Sequence, residues 1–122
     1  MSLRTLATLQ WLGLLAGGLT WAVQHVVGFG ITHARCGAAG FGIGIDLWQG
    51  VLMGASALAI AAAEAAAIAV FVATNDTSYE AEPPLSRMRF FAIAAIPANL
   101  IFLMIVLLDG FASIFDKVCV GS

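Results

Sequence analysis

Three long apolar runs, separated by short polar segments, organise this chain. The first covers residues 6–31, the second 47–73 and the third 90–115. Each exceeds the roughly 20 residues that an α-helix needs to cross about 30 Å of hydrocarbon. The polar break NDTSYEAEPPLSRMR lies between the second run and the third. Its Pro83 and Pro84 stop one helix or open the next. The pattern predicts an all-α integral membrane protein with three transmembrane helices in a single membrane domain, residues 1–122. Residues 37–74 would form a helix of about 57 Å if continuous, too long for one crossing and too short for two. The glycines of GAAGFGIGID disfavour helix there. That stretch is therefore expected to be a compact loop or a shallow interfacial segment. The second helix then starts near Asp46, where an acid suits a helix N-terminus.

Composition agrees with this reading. Apolar residues make up 61% of the chain and charged residues 10%, against about 45–50% and about 25% in soluble domains. The mean hydropathy is +1.01. This balance excludes a water-soluble enzyme and a disordered tail. With 5 Lys and Arg against 7 Asp and Glu, no basic surface exists for nucleic acid. The first run is about twice the length of a signal-peptide core, and the site at Thr20–Trp21–Ala22 suits cleavage poorly. It is expected to remain as a helix. Arg4, Arg87 and Arg89 fall on one side of the predicted bundle, Arg35 and Lys117 on the other. The excess of basic residues favours a cytoplasmic N-terminus and a C-terminus outside.

Few residues carry candidate chemistry. Cys36 follows the first run and Cys119 the third. Both then lie on the outer, oxidising side, where a Cys36–Cys119 disulfide would persist and tie the two helix ends together. Two free thiols are the alternative. No CxxC pair, haem-attachment motif or Cys/His zinc spacing is present, which leaves His33, Cys36 and Cys119 a poor metal set. Glu64 stands in AIAAAEAAAIAV, near the middle of the second run. A charged carboxylate there costs about 2.5–3.5 kcal/mol or more. It must be neutral, hydrogen-bonded, or turned towards protein or water. It serves a proton or ion path, or it makes a contact to another helix. Gln24 and His25 lie in the outer half of the first run and are expected to hydrogen-bond to a neighbouring helix. A lone His25 is a weak haem ligand. Asn99, Phe102, Val106, Asp109 and Ser113 share one face of the third run by their 3–4 spacing, and that face should meet protein. Pro97 interrupts the same helix.

Small residues mark further packing faces: Gly13 and Gly17 on the first helix, and Gly50, Gly54, Ala57, Ala61 and Ala65 on the second. Trp11, Trp21 and Trp48 are candidate interface anchors. No phosphate-binding loop, HExxH motif, dinucleotide fingerprint or hydrolase triad is evident. No catalytic or cofactor-binding residue is expected in this chain.

The run QWLGLLAGGLTWAVQHVVGFGITHARC, with Trp11, Gly13, Trp21, Ala22, His25 and Cys36, resembles small three-helix membrane proteins encoded beside bacterial haem–copper oxidase genes. Arg89, Phe90, Gly110 and Cys119 extend the likeness into the third helix. Leu19, Glu64 and Val118 depart from that pattern. The resemblance implies a non-catalytic accessory subunit of a haem–copper cytochrome oxidase in the bacterial cytoplasmic membrane. Haem and copper would then reside in the partner complex. The partners would be its other transmembrane subunits and membrane lipid. Two alternatives stand beside it: a transient oxidase assembly factor, and a small proton-coupled transporter or ion-conducting oligomer using Glu64.

Overall fold

A computed structural model describes residues 2–36, 45–78 and 80–115, with the side chains of 31–36, 45–47 and 113–115 outside that description. The chain folds into three helices, α1 (Leu3–Cys36), α2 (Ile45–Ala73) and α3 (Leu85–Phe115), and no strand occurs among the described residues. Each helix contains a stretch long and apolar enough to cross a membrane: Leu3–Gly30, Trp48–Ala73 and Leu85–Ala112. The protein is an all-α, three-helix membrane protein. The Gly-rich residues 37–44, expected to be a loop or interfacial stretch, lie outside the described residues.

Local chemistry sets the helix ends. Ser2 caps α1, its Oγ accepting the Thr5 N–H at 3.2 Å. At the end of α2 the Thr74 hydroxyl turns back and donates to the Val70 carbonyl at 2.8 Å. Arg89 Nη1 donates to the Thr74 carbonyl at 2.9 Å. The same carbonyl accepts the Thr77 N–H at 3.0 Å, so a turn bond and a charged donor from α3 together satisfy it at the end of α2. Arg89 also lies over the Phe71 ring, 5.1 Å from its centroid.

The first turn of α3 follows Pro84, and the Met88 N–H donates to the Pro84 carbonyl at 3.0 Å. The helix therefore begins at Leu85, before the apolar run that starts at Phe90. Hydropathy registers only the part that meets hydrocarbon, whereas the helical backbone continues through Ser86, Arg87 and Arg89 to the proline boundary. At Pro97 the α3 helix continues without a break in its assignment. Neighbouring helices supply the packing that lets transmembrane helices tolerate proline.

The three helices pack mutually, each against both others. At one end Leu6, Val70, Met88 and Ala92 form a cluster from all three helices. At the other end Gln49 reaches Gly28, and His25 reaches Asp109. These pairings make α1 and α3 parallel and α2 antiparallel to both. The core is built from small side chains, with Ala63, Ala67, Ala92 and Ala95 buried beside Ile60, Val70 and Val106. Large apolar residues such as Leu19, Val26, Leu58 and Leu108 face outward. Such a surface suits lipid, where helix association depends on close backbone contact more than on hydrophobic burial.

Gly13 shows how close that contact is. A Cβ built on it would lie 2.9 Å from the Ala67 nitrogen and 3.0 Å from the Ala67 Cα. On α2, however, Gly50 and Gly54 do not pack inside the bundle. A Cβ on either would meet no atom within 4 Å. Ala61 and Ala65 are exposed on the same helix. The inward face of α2 is formed instead by Gln49, Ser56, Ile60, Ala63, Ala67 and Val70.

Candidate functional site

The polar side chains predicted to meet other helices take four different environments. Asn99 is 1% exposed and donates from Nδ2 to the Gly13 carbonyl at 2.8 Å. This cross-helix bond joins α3 to α1 near mid-span, where no water competes for the donor. Close approach at Gly17 makes it possible, since a Cβ there would collide with the Asn99 side chain.

His25 and Asp109 form a second link between α1 and α3. The His25 Nδ1–H donates to Asp109 Oδ2 at 3.1 Å. The two side chains remain 59% and 38% exposed at the bundle surface. The Trp21 ring stacks on the His25 imidazole, with centroids 5.8 Å apart, and leans against Phe102 at 5.9 Å. Carboxylate and indole together fix the orientation of the imidazole.

Gln24, 3% exposed, has its Oε1 buried without a hydrogen-bond partner among the described residues. The Trp21 indole Nε1 is also buried and without a partner there. Glu64 is half-buried near mid-span, and its Oε2 has no partner among the described residues. The structure therefore pairs His25 with Asp109 and ties Asn99 to α1, and among the described residues it joins neither Gln24 nor Glu64 to another side chain.

Two polar residues outside the predicted set take part in helix contacts. Gln49 is buried and donates from Nε2 to the Gly28 carbonyl at 3.1 Å, linking α2 to α1. Arg89 caps α2 from α3 as described above. A glutamine at the start of an apolar run, with a glycine near the end of the preceding one, was the available signal for the first contact. A shallow cleft of about 300 Å³ lies between α1 and α2, lined by Leu19, Thr20, Val23, Ala55 and Ser56. It is mostly apolar and faces the lipid-contacting side.

Among the described residues no group of three or more His, Cys, Asp or Glu side chains is placed to hold a metal ion. The predicted Cys36–Cys119 disulfide and the His33 side chain fall outside the described residues, as does the side chain of Ser113. No protein-family model matches the chain, nor does any curated protein or solved structure.

Proposed function

We propose that this chain is a non-catalytic accessory subunit of a larger membrane complex. The observation that carries the reading is the outward face of α2. Gly50 and Gly54 meet nothing within 4 Å, and Ala61 and Ala65 are exposed. Small residues in a membrane helix allow another backbone to approach closely. On a lipid-facing surface they forgo that contact. A transmembrane helix from another subunit would supply it.

The sequence resemblance nominates a bacterial haem–copper cytochrome oxidase as the complex, with haem and copper held by its other subunits. In that assembly the chain lies in the cytoplasmic membrane with its N-terminus inside. A Cys36–Cys119 bridge would brace the outer ends of α1 and α3. Gentle detergent extraction of the tagged chain, followed by size-exclusion chromatography, a visible spectrum and mass spectrometry, tests the reading. A large, haem-coloured peak containing oxidase subunits in fixed ratio supports it. Sub-stoichiometric recovery, confined to immature complexes, would turn the assignment to an assembly factor. A small, colourless peak containing only this chain refutes it.

A second reading rests on a separate observation, the Oε2 of Glu64 near mid-span, which has no partner among the described residues. A carboxyl group at that depth is a candidate proton or ion carrier. Proton flux into vesicles containing the purified chain, lost in Glu64→Gln, would support it. Equal flux in both proteins, or none in either, would remove it.

A further inference from the structure

Trp21 and Gln24 bring a buried donor and a buried acceptor to one face of α1. The Trp21 Nε1–H and the Gln24 Oε1 are both enclosed, and neither has a hydrogen-bond partner among the described residues. Gln24 as a whole is 3% exposed. Counted along the helix, Trp21 stands about 7 Å and Gln24 about 11 Å from the middle of the apolar span Leu3–Gly30. Both lie inside the hydrocarbon layer, whose edge is about 15 Å from the bilayer centre. A polar group left unbonded at that depth is costly, because no bulk water reaches it. Three positions apart on one helix, the two residues are neighbours, with Cβ atoms about 5–6 Å apart. They are not bonded to each other. One water molecule joins groups up to about 5.5 Å apart through two ordinary hydrogen bonds.

We infer that the bundle interior holds one ordered water molecule between Trp21 and Gln24. Its oxygen accepts the indole N–H, and one of its protons is donated to Gln24 Oε1. The polarity of the two groups selects this occupant. An anion would suit the indole and be repelled by the carbonyl oxygen; a cation would do the reverse. A lipid chain offers neither donor nor acceptor. Water supplies both, and two such bonds are enough to hold a water inside a protein. Neither an indole nor a carboxamide changes charge at ordinary pH, so the site needs no particular protonation state.

The bridge also has a structural effect. The Trp21 ring stacks on the His25 imidazole and leans against Phe102 of α3. Tying the indole N–H to a buried glutamine fixes the rotation of the ring, so that its faces meet those two partners. The water is thereby part of the contact between α1 and α3. It lies within a single copy of the chain, so the inference stands apart from the accessory-subunit reading.

The test is nuclear magnetic resonance of the isotope-labelled chain in nanodiscs of deuterated phosphatidylcholine. The Trp21 indole resonance is the one lost in Trp21→Phe. It should show a cross-peak with water whose signs in the laboratory and rotating frames are opposite, the mark of a resident molecule. Exchange with bulk water gives the same sign in both. Gln24→Leu removes the acceptor and should abolish the cross-peak. Gln10→Leu, which replaces a buried glutamine nearer the start of α1, should leave it unchanged. Circular dichroism checks that helicity is retained; should Gln24→Leu lose it, the wild-type cross-peak and its two signs decide the question. A wild-type indole with no resident-water cross-peak overturns the inference. So does an indole proton in exchange with bulk water, a coupling across a direct bond from the indole to the Gln24 carbonyl, or a cross-peak that survives in folded Gln24→Leu.

Discussion

Substituting Gly13 by alanine should push α1 away from α2. The added Cβ would stand 2.9 Å from the Ala67 nitrogen and 3.0 Å from both its Cα and Cβ. Ordinary carbon contacts lie at about 3.5–4.0 Å. The helices would have to separate by about 0.5–1 Å, because two of the obstructing atoms are backbone and have no rotamer to change. Overpacking of this kind costs about 1–3 kcal/mol. Gly54→Ala makes the same chemical change on open surface, with nothing within 4 Å. There, helix propensity alone acts and favours alanine by up to about 1 kcal/mol. Gly13→Ala gains the same propensity, so the two variants should differ in stability by about 1–3 kcal/mol, with Gly13→Ala the weaker. Unfolding by sodium dodecyl sulfate in mixed micelles, followed by Trp fluorescence and circular dichroism, measures the difference. Adding Ala67→Gly to Gly13→Ala should restore only part of the loss, since the Ala67 nitrogen and Cα remain in the way. Equal stability of the two single variants would refute the close α1–α2 contact. Complete rescue by Ala67→Gly would show that the side chain alone is the obstruction.

Other substitutions probe separate contacts. Asn99→Leu removes the bond to the Gly13 carbonyl and should destabilise the bundle by about 0.5–2 kcal/mol in the same micelle titration. Arg89→Ala removes the donor to Thr74 and the cation over Phe71; a loss of about 1–3 kcal/mol is expected, with faster amide exchange confined to the α2 end near Thr74. Glu64→Gln keeps volume and hydrogen-bonding capacity where the Oε2 has no partner among the described residues, so stability should change by less than about 1 kcal/mol by that titration. Thiol labelling of the unreduced chain should leave Cys36 and Cys119 unmodified, and both should become reactive after reduction.

Much of the fold could be read from the sequence because spanning helices are set by a single strong constraint, the satisfaction of backbone groups in hydrocarbon. The start of α2 near Asp46 is expected from the glycines before it, and the described part of α2 opens at Ile45. The beginning of α3 was less legible. Arg87 and Arg89 look like a loop on a hydropathy scale, yet a helix needs only a water-facing end to include them. The His25–Asp109 bond was present in the register: each residue stands six positions before the end of its apolar run, at 31 and 115. Their pairing needs only that α1 and α3 be parallel neighbours, which any three-crossing hairpin pair produces. The faces of α2 were harder. Gly50 and Gly54 look like packing positions, but the bundle buries Gln49 and Ser56 and leaves the glycines outside. Alanine and glycine line so much of this helix that hydropathy scarcely distinguishes its sides. The buried glutamine decides the orientation, and it becomes informative only once Gly28 is known to face it.

The lengths of the three apolar spans also bear on the lipid around them. The apolar runs 6–31, 47–73 and 90–115, of 26–27 residues, are about 39–41 Å long as helix, roughly 10 Å more than an ordinary hydrocarbon layer. A tilt of about 20°, usual for such helices, recovers only about 2–3 Å. Because all three helices share the excess and pack as one body, they cannot relieve it by tilting independently. The remaining mismatch falls on the lipid, which must stretch around the bundle at a cost of fractions of a kcal/mol per Å. Two proteins that each thicken their surroundings lower that cost by standing side by side. The bundle should therefore gather with other long-span proteins and partition into thicker bilayers, a sorting force that acts before any specific residue makes contact.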